Sequence, residues 1–167
     1  MAKSDDGSPA TVRVLWVWGG LLLLVVLARL TLGDPSTQRL ALRVFLVLLA
    51  VAEGLAGFFY LFSARQMAER AGRPYNAAYH GVMQDFGLYN LGIALLFVLC
   101  AADPVRNIVV LRAAIVFYGL HAITHILRYF GVYYGGETPI ATRPRHLELR
   151  DGLQLAVGLG AMILFYP

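Results

Sequence analysis

The residues best able to do chemistry in this chain are few, and they sit in apolar surroundings. His121 and His125 are four apart. On a helix that spacing stacks two imidazoles on one face, where they can share a metal ion. Asp85, Glu53 or Asp151 would complete such a site. Without a metal, the same pair can hydrogen-bond Asp85, Asn90 or Tyr89 on neighbouring helices, or handle protons beside a quinone. The reading adopted is a hydrogen-bonded pair with no metal. Haem held by two histidines needs them on facing helices. The remaining partner, His80, reads as a loop residue, so haem is set aside. His146, beside Arg145, reads as a solvated loop residue, and Cys100 as a packing residue in an apolar run.

Carboxylates are the second group. Glu53 lies near the middle of a long apolar run. Helical spacing places Leu46, Leu49, Gly57 and Tyr60 on its face. It is read as a hydrogen-bonded core carboxyl, with proton carriage or cation binding as the alternative. Asp85 shares a face with Tyr89 and Gly92, with Asn90 further round. Asp151 shares one with Gln154 and Gly158. Phe117, His121, Thr124, His125 and Arg128 form a stripe. Arg128 is expected to pair with Asp85 or Asp151. Ionisable groups at this depth cost about 2.5–3.5 kcal/mol each on insertion scales, so they usually face a bundle interior and mark function.

The elements that must position these residues are membrane helices. Of the 167 residues, 59% are apolar and 14% charged, against about 45–50% and 25% in soluble domains. Mean hydropathy is +0.65. The net charge of +4 sits in short clusters between apolar runs, which suits membrane flanks and argues against nucleic acid as a partner. A span needs roughly 20 apolar residues. Five segments are expected to cross: 14–32, 40–62, 82–102, 105–130 and 149–166. They make an all-α membrane protein with a four-helix core bundle over 40–167 and an added N-terminal helix, read as an uncleaved anchor behind a polar tail, 1–13. Long loops are expected at 64–81 and 131–148. The first of these opens with a helix-like stretch suited to the interface. Trp16, Trp18, Tyr133 and Tyr134 suit an aromatic belt, and Arg112 is expected to snorkel.

Orientation follows the Lys and Arg residues. Nine of the 14 fall on the side of the N-terminus and the long loops, five on the other. The positive-inside rule then puts the N-terminus in the cytoplasm and the C-terminus outside, in the cell membrane. Because successive helices alternate in direction, Tyr60, Asp85, Asn90, His121, His125, Arg128, Asp151 and Gln154 all fall toward the long-loop face. The expected result is a polar pocket about one leaflet deep, with Glu53 at mid-membrane.

Three stretches, EGLAGFFYLFSARQMAERAG, QDFGLYNLGIALLFVL and VFYGLHAITHILRYFG, carry a resemblance to the DoxX-like group of small four-helix bacterial membrane proteins and related uncharacterised families, over about 44–166. The resemblance implies a four-helix fold and, for some members, a quinone-linked oxidoreductase subunit. It supplies no catalytic motif. The sequence shows no haem or flavin motif, and no cofactor is expected unless a quinone. The expected function is therefore a small integral membrane protein whose pocket binds a small or lipid-like ligand, or an accessory subunit. The alternatives are a quinone-linked subunit and a small proton-coupled transporter using Glu53. Expected partners are the lipid bilayer and another membrane protein or a second copy of the chain.

Overall fold

The computed structural model describes residues 9–70, 75, 77–132 and 145–167. The described residues are 88% helical, with no strand among them. Among the described residues six helices follow in order: α1 (Pro9–Thr31), α2 (Pro35–Phe62), α3 (Ala64–Arg70), α4 (Ala77–Ala102), α5 (Ile108–Tyr129) and α6 (Arg145–Leu164). Four of them, α1, α2, α4 and α5, are long and apolar enough to cross a bilayer. Large apolar side chains such as Leu24, Leu30, Leu48, Leu88, Leu95 and Val109 point outward. An apolar exterior of this extent belongs in lipid, where helices satisfy their own backbone polar groups.

Two of the turns are tight for readable reasons. Asp34 caps α2, accepting a hydrogen bond from the Thr37 N–H at 3.0 Å, and Pro35 occupies the first helical position. There a missing N–H costs nothing and the fixed φ suits the helix. Between α4 and α5, Asp103 accepts from the Val105 and Arg106 N–H groups, and the Asn107 side chain donates to the Leu99 carbonyl at 2.8 Å.

Helices α2 and α4 pair closely, as do α5 and α6. Helix α1 lies on α6, while α4 and α5 touch far less. The α2–α4 pair meets at glycines. A Cβ on Gly57 would lie 2.8 Å from the Gly87 carbonyl oxygen, and one on Gly87 would lie 2.9 Å from the Gly57 oxygen. Small residues let the two backbones approach this closely. At the short-turn half of the bundle, Val25, Leu42, Leu46, Phe97, Leu111, Met162 and Phe165 form a continuous apolar core contributed by all five long helices. Arg29 donates to the Leu164 carbonyl at 2.7 Å and ties α1 to the end of α6.

Several expected boundaries are corrected. Neither stretch expected as a long loop is loop throughout. Residues 64–70 form α3, which packs Ala64 and Ala68 against Met83, with Tyr60 and Met67 alongside. Helix α4 begins at Ala77, so His80 is helical and hydrogen-bonds Tyr75. Helix α6 begins at Arg145, so Arg145, His146 and Glu148 are helical. The first helix begins at Pro9, inside the expected polar tail. Arg112 lies over the Tyr166 ring and donates to its hydroxyl at 2.6 Å. Tyr133 and Tyr134 lie outside the described residues.

Candidate functional site

The long-loop half of the bundle holds a cavity of about 340 Å³, and the other half packs the continuous apolar core. Its walls come from four long helices. Helix α2 gives Glu53 and Tyr60; α4 gives Tyr89 and Asn90; α5 gives Phe117, Tyr118, His121, His125 and Arg128; α6 gives Arg150, Asp151 and Gln154. Met67 of α3 lines it as well. Nine of the ten residues singled out in the sequence meet here. The exception is Asp85, which lines a neighbouring groove between α4 and α5.

Depth orders the cavity. At about 1.5 Å per residue, Glu53 stands about 14 Å from the long-loop end of its helix, and Tyr118 about 16 Å from the end of α5. His121 stands about 12 Å from that end, His125 about 6 Å and Arg128 about 2 Å. The mouth therefore holds Arg128, Arg150 stands level with the histidines at about 8 Å from the start of α6, and the inner end holds Glu53 and Tyr118.

At the inner end, the Tyr118 hydroxyl donates to Glu53 Oε1. It is the one hydrogen bond to that carboxyl among the described residues. Tyr118 is buried, and its ring stands edge-on to Phe97 with centroids 5.4 Å apart. Gly158 makes room for it, because a Cβ there would sit 3.2 Å from Tyr118 Cε1. The apolar core thus holds the phenol in place and aims its hydroxyl at α2.

Midway, the histidines are organised from α6. His125 and Glu148 are both buried, and His125 Nδ1 lies 2.6 Å from Glu148 Oε2. With Glu148 as a carboxylate, Nδ1 carries the proton and donates. His125 Nε2 faces His121 Nε2 at 3.2 Å. When His125 is neutral, its Nε2 accepts from His121; when His125 is protonated, it donates to both neighbours. Glu148, His125 and His121 therefore form a hydrogen-bonded chain ending on the cavity wall. The partner expected from the sequence was Asp85, Asn90 or Tyr89; the structure supplies Glu148 instead. The spacing also suits two ligands on one metal. Among the described residues, however, no group of three or more His, Cys, Asp or Glu side chains could hold a metal ion.

Beside the histidines, Asp151 forms an ion pair with Arg150 at 2.8 Å, a neighbour the sequence reading did not consider. That reading also missed Tyr118 and Glu148. Tyr118 precedes His121 by three residues and so shares its helix face. Glu148 precedes Asp151 by the same interval. Either offset would have found its residue once the helix was known to run through it.

The α4–α5 groove, about 650 Å³, opens sideways through the bundle wall. Val82, Asp85, Phe86, Leu120 and Thr124 line it, and it shares Phe86, Tyr89, Phe117 and His121 with the cavity. Compared with known proteins, the chain matches no family model, and no curated protein or solved structure is detectably similar to it.

Proposed function

We propose that this protein crosses the membrane five times and binds a small amphipathic molecule in the long-loop half of the bundle. Helix α6 serves as the fifth span. Its first turns carry Arg145, Glu148, Arg150 and Asp151, which lowers its hydropathy. Arg150 and Asp151 line the cavity and Glu148 pairs with His125, while the later turns of α6 pack into the apolar core. The positive-inside rule places the cavity mouth and the N-terminus in the cytoplasm and the C-terminus outside. A fusion reporter after Pro167 gives an external signal on this reading, and a cytoplasmic signal overturns it.

One observation carries the binding reading. Polar groups from four helices converge on one cavity, and the opposite half of the bundle packs a continuous apolar core. Buried polar side chains that only stabilise helix contacts pack against one another; these leave about 340 Å³ between them. Mixed polar and aromatic walls of this kind suit an organic ligand with a hydrogen-bonding head. Purification in mild detergent, followed by mass spectrometry of bound lipids, small molecules, metals and proteins, tests it. A small molecule retained by the wild type and lost from an Asn90→Leu, Gln154→Leu double variant is expected. A wild type that retains none refutes the reading.

A second reading has its own support. The Glu148–His125–His121 chain is a route for protons from α6 to the cavity wall, as an accessory subunit working on a quinone would need. That is the role the DoxX-like resemblance implies. A proton-coupled transporter using Glu53 would need, in addition, an opening through the apolar half around Leu46, Leu111 and Phe165.

A further inference from the structure

The chemistry of the ligand follows from comparing the two entrances to the cavity. The long-loop side of the cavity carries Arg128 at its mouth and Arg150 further in. Among the described residues the α4–α5 groove is lined by no Lys or Arg, and its one acidic residue is Asp85. The groove faces the side of the bundle that meets lipid: Val82 is 47% exposed and Leu120 62%. It exists because α4 and α5 are loosely paired, and it joins the cavity behind Phe86, Tyr89, Phe117 and His121.

Inside that junction the walls are aromatic. The Tyr89 and Phe117 rings lie 5.3 Å apart, and the Tyr60 and Phe86 rings 6.5 Å apart. Beyond them is Glu53, hydrogen-bonded by Tyr118. Aromatic faces beside a carboxylate are the arrangement that attracts ammonium groups, through ring quadrupoles and ion pairing in a medium of low dielectric. The same arrangement disfavours an anion. Arg128 stands about 12 Å nearer the long-loop end of its helix than Glu53 does, and Arg150 about 6 Å nearer. Arg150 is also ion-paired with Asp151, so the two arginines oppose a cation at the aqueous entrance more than at the inner end. An alkyl chain on the ligand would lie in the groove, where the side chains are apolar.

We propose that the site takes a lipophilic ammonium ion, an amine or quaternary ammonium on a hydrocarbon chain, which enters sideways from the bilayer through the α4–α5 groove and pairs with Glu53. This rests on the amphipath-binding reading above.

The test uses the full chain in phosphatidylcholine nanodiscs and radiolabelled dodecyltrimethylammonium, with empty nanodiscs as background. Dodecanol and dodecanoate, of the same chain length, serve as competitors. Saturable binding is expected that unlabelled dodecyltrimethylammonium displaces and a tenfold excess of either competitor does not. Glu53→Gln is expected to weaken binding at least tenfold. Leu120→Trp, which fills the groove, is expected to slow association at least tenfold. Equal displacement by dodecanol or dodecanoate overturns the ammonium assignment and leaves amphipath binding standing; this comparison uses the wild type and needs no variant to fold. An unchanged association rate in Leu120→Trp overturns the lateral entrance. Failure of the wild type to hold any of the three chains overturns both proposals.

Discussion

The contact between α2 and α4 supports the cavity wall that carries Glu53, and Gly57→Ala tests it sharply. The added Cβ would lie 2.8 Å from the Gly87 oxygen, 2.9 Å from Leu91 Cγ and 3.0 Å from the Leu91 nitrogen. Ordinary contact begins at 3.4 Å, so the helices must part by about 0.6 Å at their tightest point. Two of the three obstacles are backbone atoms, which cannot rotate aside. Overpacking of this kind costs about 1–3 kcal/mol, and rigid obstacles place this case near the top of the range. Gly54→Ala is the internal control. It lies one turn earlier on the same helix, and its Cβ would meet only Ala94 Cβ at 3.8 Å. That variant gains about 1 kcal/mol of helix propensity at no steric cost. Gly57→Ala gains the same propensity, so it cancels, and equilibrium unfolding in mixed micelles should separate the two alanine variants by the steric cost alone, roughly 3 kcal/mol. Equal stability would refute the close glycine contact and the wall built on it.

Other perturbations probe the cavity and the ends of the bundle. Tyr118→Phe removes the hydrogen bond to Glu53 and is expected to cost about 1–3 kcal/mol, because a half-buried acceptor is left without its donor. Adding Glu53→Met should restore most of that loss in a double-mutant cycle of unfolding free energies. Glu148→Ala strands buried His125 and is expected to cost about 3 kcal/mol, whereas Glu148→Gln keeps an acceptor for Nδ1–H and should cost less; chemical denaturation compares them. Hydrogen bonds from Ser36 and Thr37 hold the Asp34 carboxyl below the ordinary carboxylate value. Its contribution to stability is therefore complete above that ordinary value and lost as pH falls through the lowered one. In Asp34→Asn, which keeps the cap without the charge, thermal unfolding between pH 5 and about pH 2 should lose that acid-dependent component.

Much of this architecture was legible in the chain as written. Apolar runs and intervening prolines located the spans, because lipid admits only helices of sufficient length. Alternating direction then levelled Tyr60, Asn90, His121, His125, Asp151 and Gln154 at one face, since depth depends only on position along each helix. Periodicity also placed Glu53 on the face of Leu46, Leu49, Gly57 and Tyr60, all of them buried or half-buried in the fold.

Tertiary structure decided what depth and facing could not. A helical stripe gives an angle about its own axis and does not say which neighbour lies at that angle. Asp85 and Tyr89 are one turn apart on α4, yet Asp85 reaches only the groove while Tyr89 lines both groove and cavity. Glu148 was hidden for a related reason. The first turns of α6 are polar because they face a polar interior, and by hydropathy alone such a stretch reads as loop. Its pairing with His125 joins positions 23 residues apart. The loose seam between α4 and α5 is a property of how two helix pairs meet, and no single helix encodes it. The sequence by itself determined which residues share a level along the bundle. Only the packing of helix on helix decided which of them share a cavity, which stand at its side entrance, and which carboxylate holds the histidines.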